Sequence, residues 1–214
     1  MAPARVSSRS FLFLLAILSA VGGVCGARAN VLADTSEDSI DLPQLVEGCS
    51  LSIVRKDSRE VCLPAEACES LLLVCGRQET VVQKVADLVG RVEIRDAASA
   101  LEYLRLFSSR STFYLFQEKY AEVYPVPEGE CTSFCLPPAR WNELGLSDAS
   151  AQSAGDAMFE VTRSVVRADG PAGESRLYSV TELVTATGQV RLLKQKLIPI
   201  NKFDEVWLMF PGSL

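Results

Sequence analysis

The sequence predicts an α+β fold: an antiparallel sheet ending in a C-terminal meander, with two or three helices packed on one face. Two observations carry this reading. In the last third, "MFEVTRSVVR", "RLYSVTELVTA" and "QVRLLKQKLI" are three long strand-like runs, separated by "ADGPAGE" and by the turn pair Thr187-Gly188. In the middle, "AASALEYLRLF" puts Ala97, Leu101 and Leu104 on one face, with Asp96 placed to cap the free amides of the first helical turn.

Taken from the amino terminus, the first element is a leader. "MAPARVSSRS" carries two arginines and no acid, "FLFLLAILSAVGGV" is free of charge, and Ala27-Arg28-Ala29 supplies small residues at cleavage spacing. That is the pattern of a secretory signal peptide over residues 1–29. Its apolar run falls short of the ~20 residues that span a bilayer, so an integral span after its removal is not expected. A lipid-modified Cys25 is disfavoured by Val24, where a small residue is usual. Residues 30–44, "NVLADTSEDSIDLPQ", read as a flexible acidic lead-in, and 45–214 as a single disulfide-strapped domain.

Within that domain, "LSIV" and "EVCL" read as a hairpin, and Pro64–Cys75 as a helix ended by Gly76. A second helix is expected over Glu79–Val89, and "RVEIR" as a strand between it and the Asp96 helix. "STFYLF" and "AEVYPV" suggest another hairpin, residues 125–138 a loop, 145–156 a flexible connection, and "EVWLMF" a final strand.

The exported setting makes sense of the cysteines. Cys25 leaves with the leader, and Cys49, Cys62, Cys68, Cys75, Cys131 and Cys135 form an even set, as expected of disulfides in an oxidising compartment. On a helix, Cys68 and Cys75 would lie about 10.5 Å apart along the axis. A disulfide needs alpha carbons within about 7 Å, so each is expected to take a partner elsewhere. Cys131 and Cys135 can join locally across a tight turn, or each can reach into the first half. Zinc is disfavoured because the chain has no histidine and no paired C-x-x-C, and a thioredoxin-type redox pair fails on the same spacing.

Charge and composition restrict function further. Arg5, Arg9 and Arg28 leave with the leader and no acid does, so the exported chain is more acidic than the −6 of the whole. Acidity argues against nucleic-acid partners, which are drawn by clustered Lys and Arg. The densest basic stretch is Arg191, Lys194, Lys196 and Lys202, read as the wet side of a strand. Absence of histidine removes Ser-His-Asp and Cys-His nucleophiles, and no dinucleotide, P-loop or nucleophile-elbow motif occurs, so no cofactor is expected.

Carboxylates are left as the candidate catalytic set: Glu118, Glu122, Glu128, Glu130, Glu160 and Glu182. Glu182 stands out inside the apolar "SVTELV", where it either serves as a buried acid or pairs with Arg163 or Arg191 across the sheet. Tyr103, Tyr114, Tyr120, Tyr124 and Trp141 are the candidate binding aromatics, set against the reading that most of the aromatic cluster is core. The expected function is an exported, secreted or periplasmic, non-catalytic binding domain for a protein, peptide or sugar. The alternatives are a carboxylate-dependent hydrolase of the cell envelope and a structural envelope component without a discrete site.

Overall fold

The segment around Cys75 is a strand, the largest departure from the sequence reading. The computed structural model describes residues 44–55, 69–109, 113, 115–169 and 174–209. The leader, most of the acidic lead-in, "EVCL", Cys62, Cys68 and Tyr114 lie outside these residues. Strands β1 (Cys49–Arg55), β2 (Glu69–Cys75) and β3 (Gln78–Val82) form an antiparallel sheet in that order. Leu71 and Leu73 are buried while Leu72 and Val74 are half-covered, a period of two. An unbroken aliphatic run fits a helix or a strand equally, and pairing along both edges of β2 decides for the strand. Gly76, with φ 60°, is therefore not a helix terminator but the first central residue of the tight β2–β3 turn.

The helix expected over Glu79–Val89 is divided between β3 and a single 3-10 turn at Val85–Leu88. Asp87 holds that turn by accepting from the backbone amides of Gln83 at 2.8 Å and Lys84 at 3.0 Å. "RVEIR" makes only an isolated bridge, Val92 to Leu45, although Val92 and Ile94 are buried. Helix α1 (Ala97–Arg105) forms as predicted. Asp96 accepts from the Ser99 amide at 2.7 Å, and Ser99 Oγ accepts from the Asp96 amide at 3.0 Å, a reciprocal capping box.

The hairpin expected of "STFYLF" and "AEVYPV" is not found among the described residues of these segments. Phe113, Leu115 and Phe116 are buried outside any strand, while β4 (Tyr120–Glu122) pairs with the later strand Met158–Arg167. Burial of bulky aromatics does not need a ladder, so β-propensity overstated the strand. The chain continues through β5 (Tyr124–Pro125), β6 (Cys135–Leu136), which pairs with β5 in parallel, and α2 (Pro138–Glu143). Cys131 and Cys135 join locally, with alpha carbons 5.8 Å apart. Cys49 and Cys75 bridge β1 to β2 at directly opposed positions, alpha carbons 4.1 Å apart.

Residues 145–156 are not merely a connection, because β7 (Ser150–Gly155) pairs with β8 (Met158–Arg167). Its side chains are largely exposed, so backbone pairing makes a strand that composition does not announce. The meander then runs through β9 (Arg176–Thr185) to β10 (Val190–Ile198), as the sequence predicts. The closing segment is a helix, α3 (Lys202–Trp207), in place of a strand. Asn201 Oδ1 accepts from the amides of Phe203 and Asp204, a cap that outweighs the short alternating pattern after it.

Alternation along β8 sorts the core into two clusters. Phe159, Val161 and Val165 pack with Tyr178, Val180 and Val184 of β9, with Ala100, Tyr103 and Leu104 of α1, and with the small sheet. Val166 and Leu177 belong to a second cluster with Trp141 of α2, Ile198, and Leu208 just beyond α3. The helices are thus divided between the clusters, whereas the sequence reading put them on one face. No helix among the described residues is long and apolar enough to cross a membrane.

Candidate binding groove

The face of the meander that α1 covers at β7 and β8 is left open toward β10. There an open groove of about 570 Å³ runs between the 3-10 turn and the start of β10. Val85, Ala86 and Val89 form one wall and Val190 and Leu192 the other, with Tyr120, Arg167 and Glu182 also lining it. A second groove, about 480 Å³, shares Glu118, Tyr120 and Arg167 with it and continues past Lys119 and Asp169. The volume of the first groove falls within the range of ligand sites, and its lining mixes the aliphatic walls with Lys84, Glu118, Arg167, Glu182 and Gln189.

Local chemistry fixes both walls. The Tyr103 hydroxyl donates to the Gly188 carbonyl at 2.9 Å and lies 3.4 Å from the Val85 carbonyl, so α1 fastens the β9–β10 turn beside the 3-10 turn. Gly188 permits this approach, having φ +81° and no side chain to meet Val92 and the Tyr103 ring. At the other end, Gln117 donates from its amide to the Gln83 carbonyl at 2.9 Å and from its side chain to Gln83 Oε1 at 2.7 Å. Glu118 and Lys84, next to these two glutamines, both line the groove.

Beneath the groove lies a buried ionic network. Arg163 is 1% exposed, and its Nε donates to Glu182 Oε2 at 2.8 Å. Nη1 donates to Ser108 Oγ and, at 3.3 Å, to the Leu104 carbonyl, and it lies 3.9 Å from Glu122 Oε2. Nη2 has no hydrogen-bond partner among the described residues, and the guanidinium sits 5.5 Å from the Tyr120 ring centroid. Glu122 is also gripped by Arg105, which bonds Glu102 as well. Burial pushes the Tyr120 hydroxyl up, against the opposing pull of Arg163. Burial works to lower Arg163, but the charges of Glu182 and Tyr120 prevail and hold it above the ordinary guanidinium value.

Arg167 is placed differently. It lies 5.6 Å from the Tyr120 ring centroid and 5.8 Å from that of Tyr178, and Nη1 donates to Gln195 Oε1 at 3.3 Å. Among the described residues its Nε has no hydrogen-bond partner and it enters no ion pair. A planar cation beside two rings that lines two grooves is suited to bind an anionic group, in competition with Glu118, Glu182 and Asp169, which line the same grooves.

The aromatic candidates separate accordingly. Tyr103 and Trp141 are buried as packing residues, Tyr120 is buried yet borders both grooves, and Tyr124 is exposed away from them on β5. Of the acids, Glu118 and Glu182 line one groove, Glu122 is bound by arginines, and Glu160 accepts from Gln152. Glu128 and Glu130 are exposed in the loop before the second disulfide. The sequence reading missed Arg167 and the 3-10 turn. A signal for Arg167 is present, since Arg163 and Arg167 share the inward phase of a strand with Phe159, Val161 and Val165.

No protein-family model matches the chain, and no curated protein or solved structure matches it.

Proposed function

We propose that this chain is an exported, non-catalytic binding domain whose ligand site is the groove between the 3-10 turn and β10. The observation that carries the reading is Arg167, which lies 5.6 and 5.8 Å from the Tyr120 and Tyr178 ring centroids, enters no ion pair among the described residues, and lines two grooves where they meet. Aliphatic walls supply contact area, and Arg167 supplies orientation for an anionic group. The two disulfides among the described residues fit export to an oxidising compartment, secreted or periplasmic. The test is binding of the oxidised protein to peptide and glycan arrays, followed by amide chemical-shift mapping of each hit. A ligand that shifts groove residues and is lost in Arg167→Ala supports the reading. Hits that map elsewhere and tolerate Arg167→Ala and Leu192→Lys refute it.

A second reading has one specific observation behind it, namely that Glu118 and Glu182 line the same groove, as a pair of hydrolytic carboxylates would. The short bond from Arg163 already engages Glu182 Oε2, which leaves Glu118 as the residue to test. Hydrolysis of a glycan or peptide hit that disappears in Glu118→Gln would establish this reading over the first.

A further inference from the structure

The strand that forms one wall of the groove has an outer edge with unusual chemistry. β10 ends the sheet order β10-β9-β8-β4, so one side of its nine residues pairs with β9 and the other with no described strand. An edge of this kind presents alternate N–H and C=O groups outward, ready to pair with another extended chain. Arg191, Lys194 and Lys196 lie on it and no acid does, although the whole protein has 27 acidic residues against 21 basic. None of the three enters an ion pair among the described residues.

A bulge sorts these side chains by face. Leu192 lies opposite Glu182 and Lys194 opposite Thr181, so Leu193 is the extra residue. In strict alternation Arg191 and Lys194 would point to opposite faces. The bulge resets the phase. Val190 and Leu192 before it, and Gln195 and Leu197 after it, face the groove side with Glu182, Val180 and Tyr178. Arg191, Lys194 and Lys196 all face the other side, opposite Leu183, Thr181 and Ser179. Leu192 and Leu197 are 45% and 53% exposed, so the apolar row is available to a partner.

We infer that the edge of β10 left unpaired among the described residues docks an extended acidic segment of another protein, in which carboxylate and aliphatic side chains alternate. A strand added beside β10 continues both faces of the sheet. Its aliphatic residues extend the row of Leu192 and Leu197 beside the groove, and its carboxylates lie beside Arg191, Lys194 and Lys196. The charge pattern also selects against a second copy of this chain, since two β10 edges would bring like charges together. This inference rests on the reading of the groove as a binding site and names its ligand as a polypeptide.

The test is fluorescence anisotropy with the disulfide-intact protein and a labelled peptide of alternating glutamate and valine. Controls are a block-ordered peptide of the same composition and a lysine–valine peptide, with amide exchange read at Lys194–Leu197. The expected result is preference for the alternating acidic peptide, protection of those amides, and about a tenfold loss of affinity in Lys194→Glu/Lys196→Glu. Equal binding of the block peptide would overturn the inference, because charge alone would then suffice. Tighter peptide binding after Asp34, Glu37, Asp38 and Asp41 are changed to amides would also overturn it, identifying this chain's own acidic segment as the occupant. A non-peptide ligand that shifts Val85 and Tyr120 but leaves the β10 amides unprotected would overturn strand pairing alone, and the groove would still stand as a binding site.

Discussion

Replacing Glu182 by glutamine removes one negative charge from beneath the groove while keeping the side chain's shape. Arg163 is then left fully buried with its main countercharge gone, since Glu182 Oε2 is its 2.8 Å partner. Charge centres about 4 Å apart at an effective dielectric near 20 attract by about 4 kcal/mol. Part of that attraction survives, because Glu122 Oε2 is still 3.9 Å from Nη1. The expected loss is therefore about 3 kcal/mol, at the lower end of the range for breaking a buried pair. The double variant Arg163→Met/Glu182→Leu removes both charges and fills the space with aliphatic atoms. It should lie within about 1 kcal/mol of the parent or be more stable. Urea unfolding at pH 7 with the disulfides intact, followed by tryptophan emission, measures both; Trp141 is buried and reports the second cluster. A loss below about 1 kcal/mol for Glu182→Gln at unchanged slope, or a double variant less stable than the single one, would show that this pair is not desolvated as argued.

Other outcomes follow from separate parts of the structure. Cys49→Ala/Cys75→Ala opens a bridge of sequence separation 26 and should cost about 3.5 kcal/mol, whereas Cys131→Ala/Cys135→Ala, separation 4, should cost about 2 kcal/mol; paired urea titrations check the order. Gly188→Ala forces a side chain into φ +81° and against Val92 and the Tyr103 hydroxyl, for a loss of about 2–4 kcal/mol that Tyr103→Phe partly relieves, as thermal unfolding of both variants can show. Burial works to raise the Asp204 carboxyl, but hydrogen bonds from Arg140 and from the Asn201 amide hold it below the ordinary value. Its contribution to stability is thus present above the unfolded value of about 3.9 and is lost as pH falls through the lower folded value. Stability of the parent should drop more steeply below about pH 4 than that of Asp204→Asn, and the two should converge at the acid end of a pH series of urea midpoints.

What could be read from residues alone was whatever short-range chemistry specifies. β8 and β9 are long and rich enough in β-branched residues to disfavour a helix, and Asp96 with Ser99 caps α1 through contacts three residues apart. Absence of histidine likewise excludes whole classes of catalysis without any structure. Long-range pairing settled the rest. "ESLLLVC" fits either period, and only the presence of β1 on one side and β3 on the other makes it a strand that sets Cys75 against Cys49. β7 has almost no inward-facing apolar residue, so it exists because β8 offers an edge. The groove joins residues from positions 84 to 192, and the bulge that gathers Arg191, Lys194 and Lys196 on one face is a matter of register with β9. Local propensity acts over a few residues of chain, while burial and strand registry depend on groups that meet only when distant segments are brought together, and the proposed function of this protein resides in those meetings.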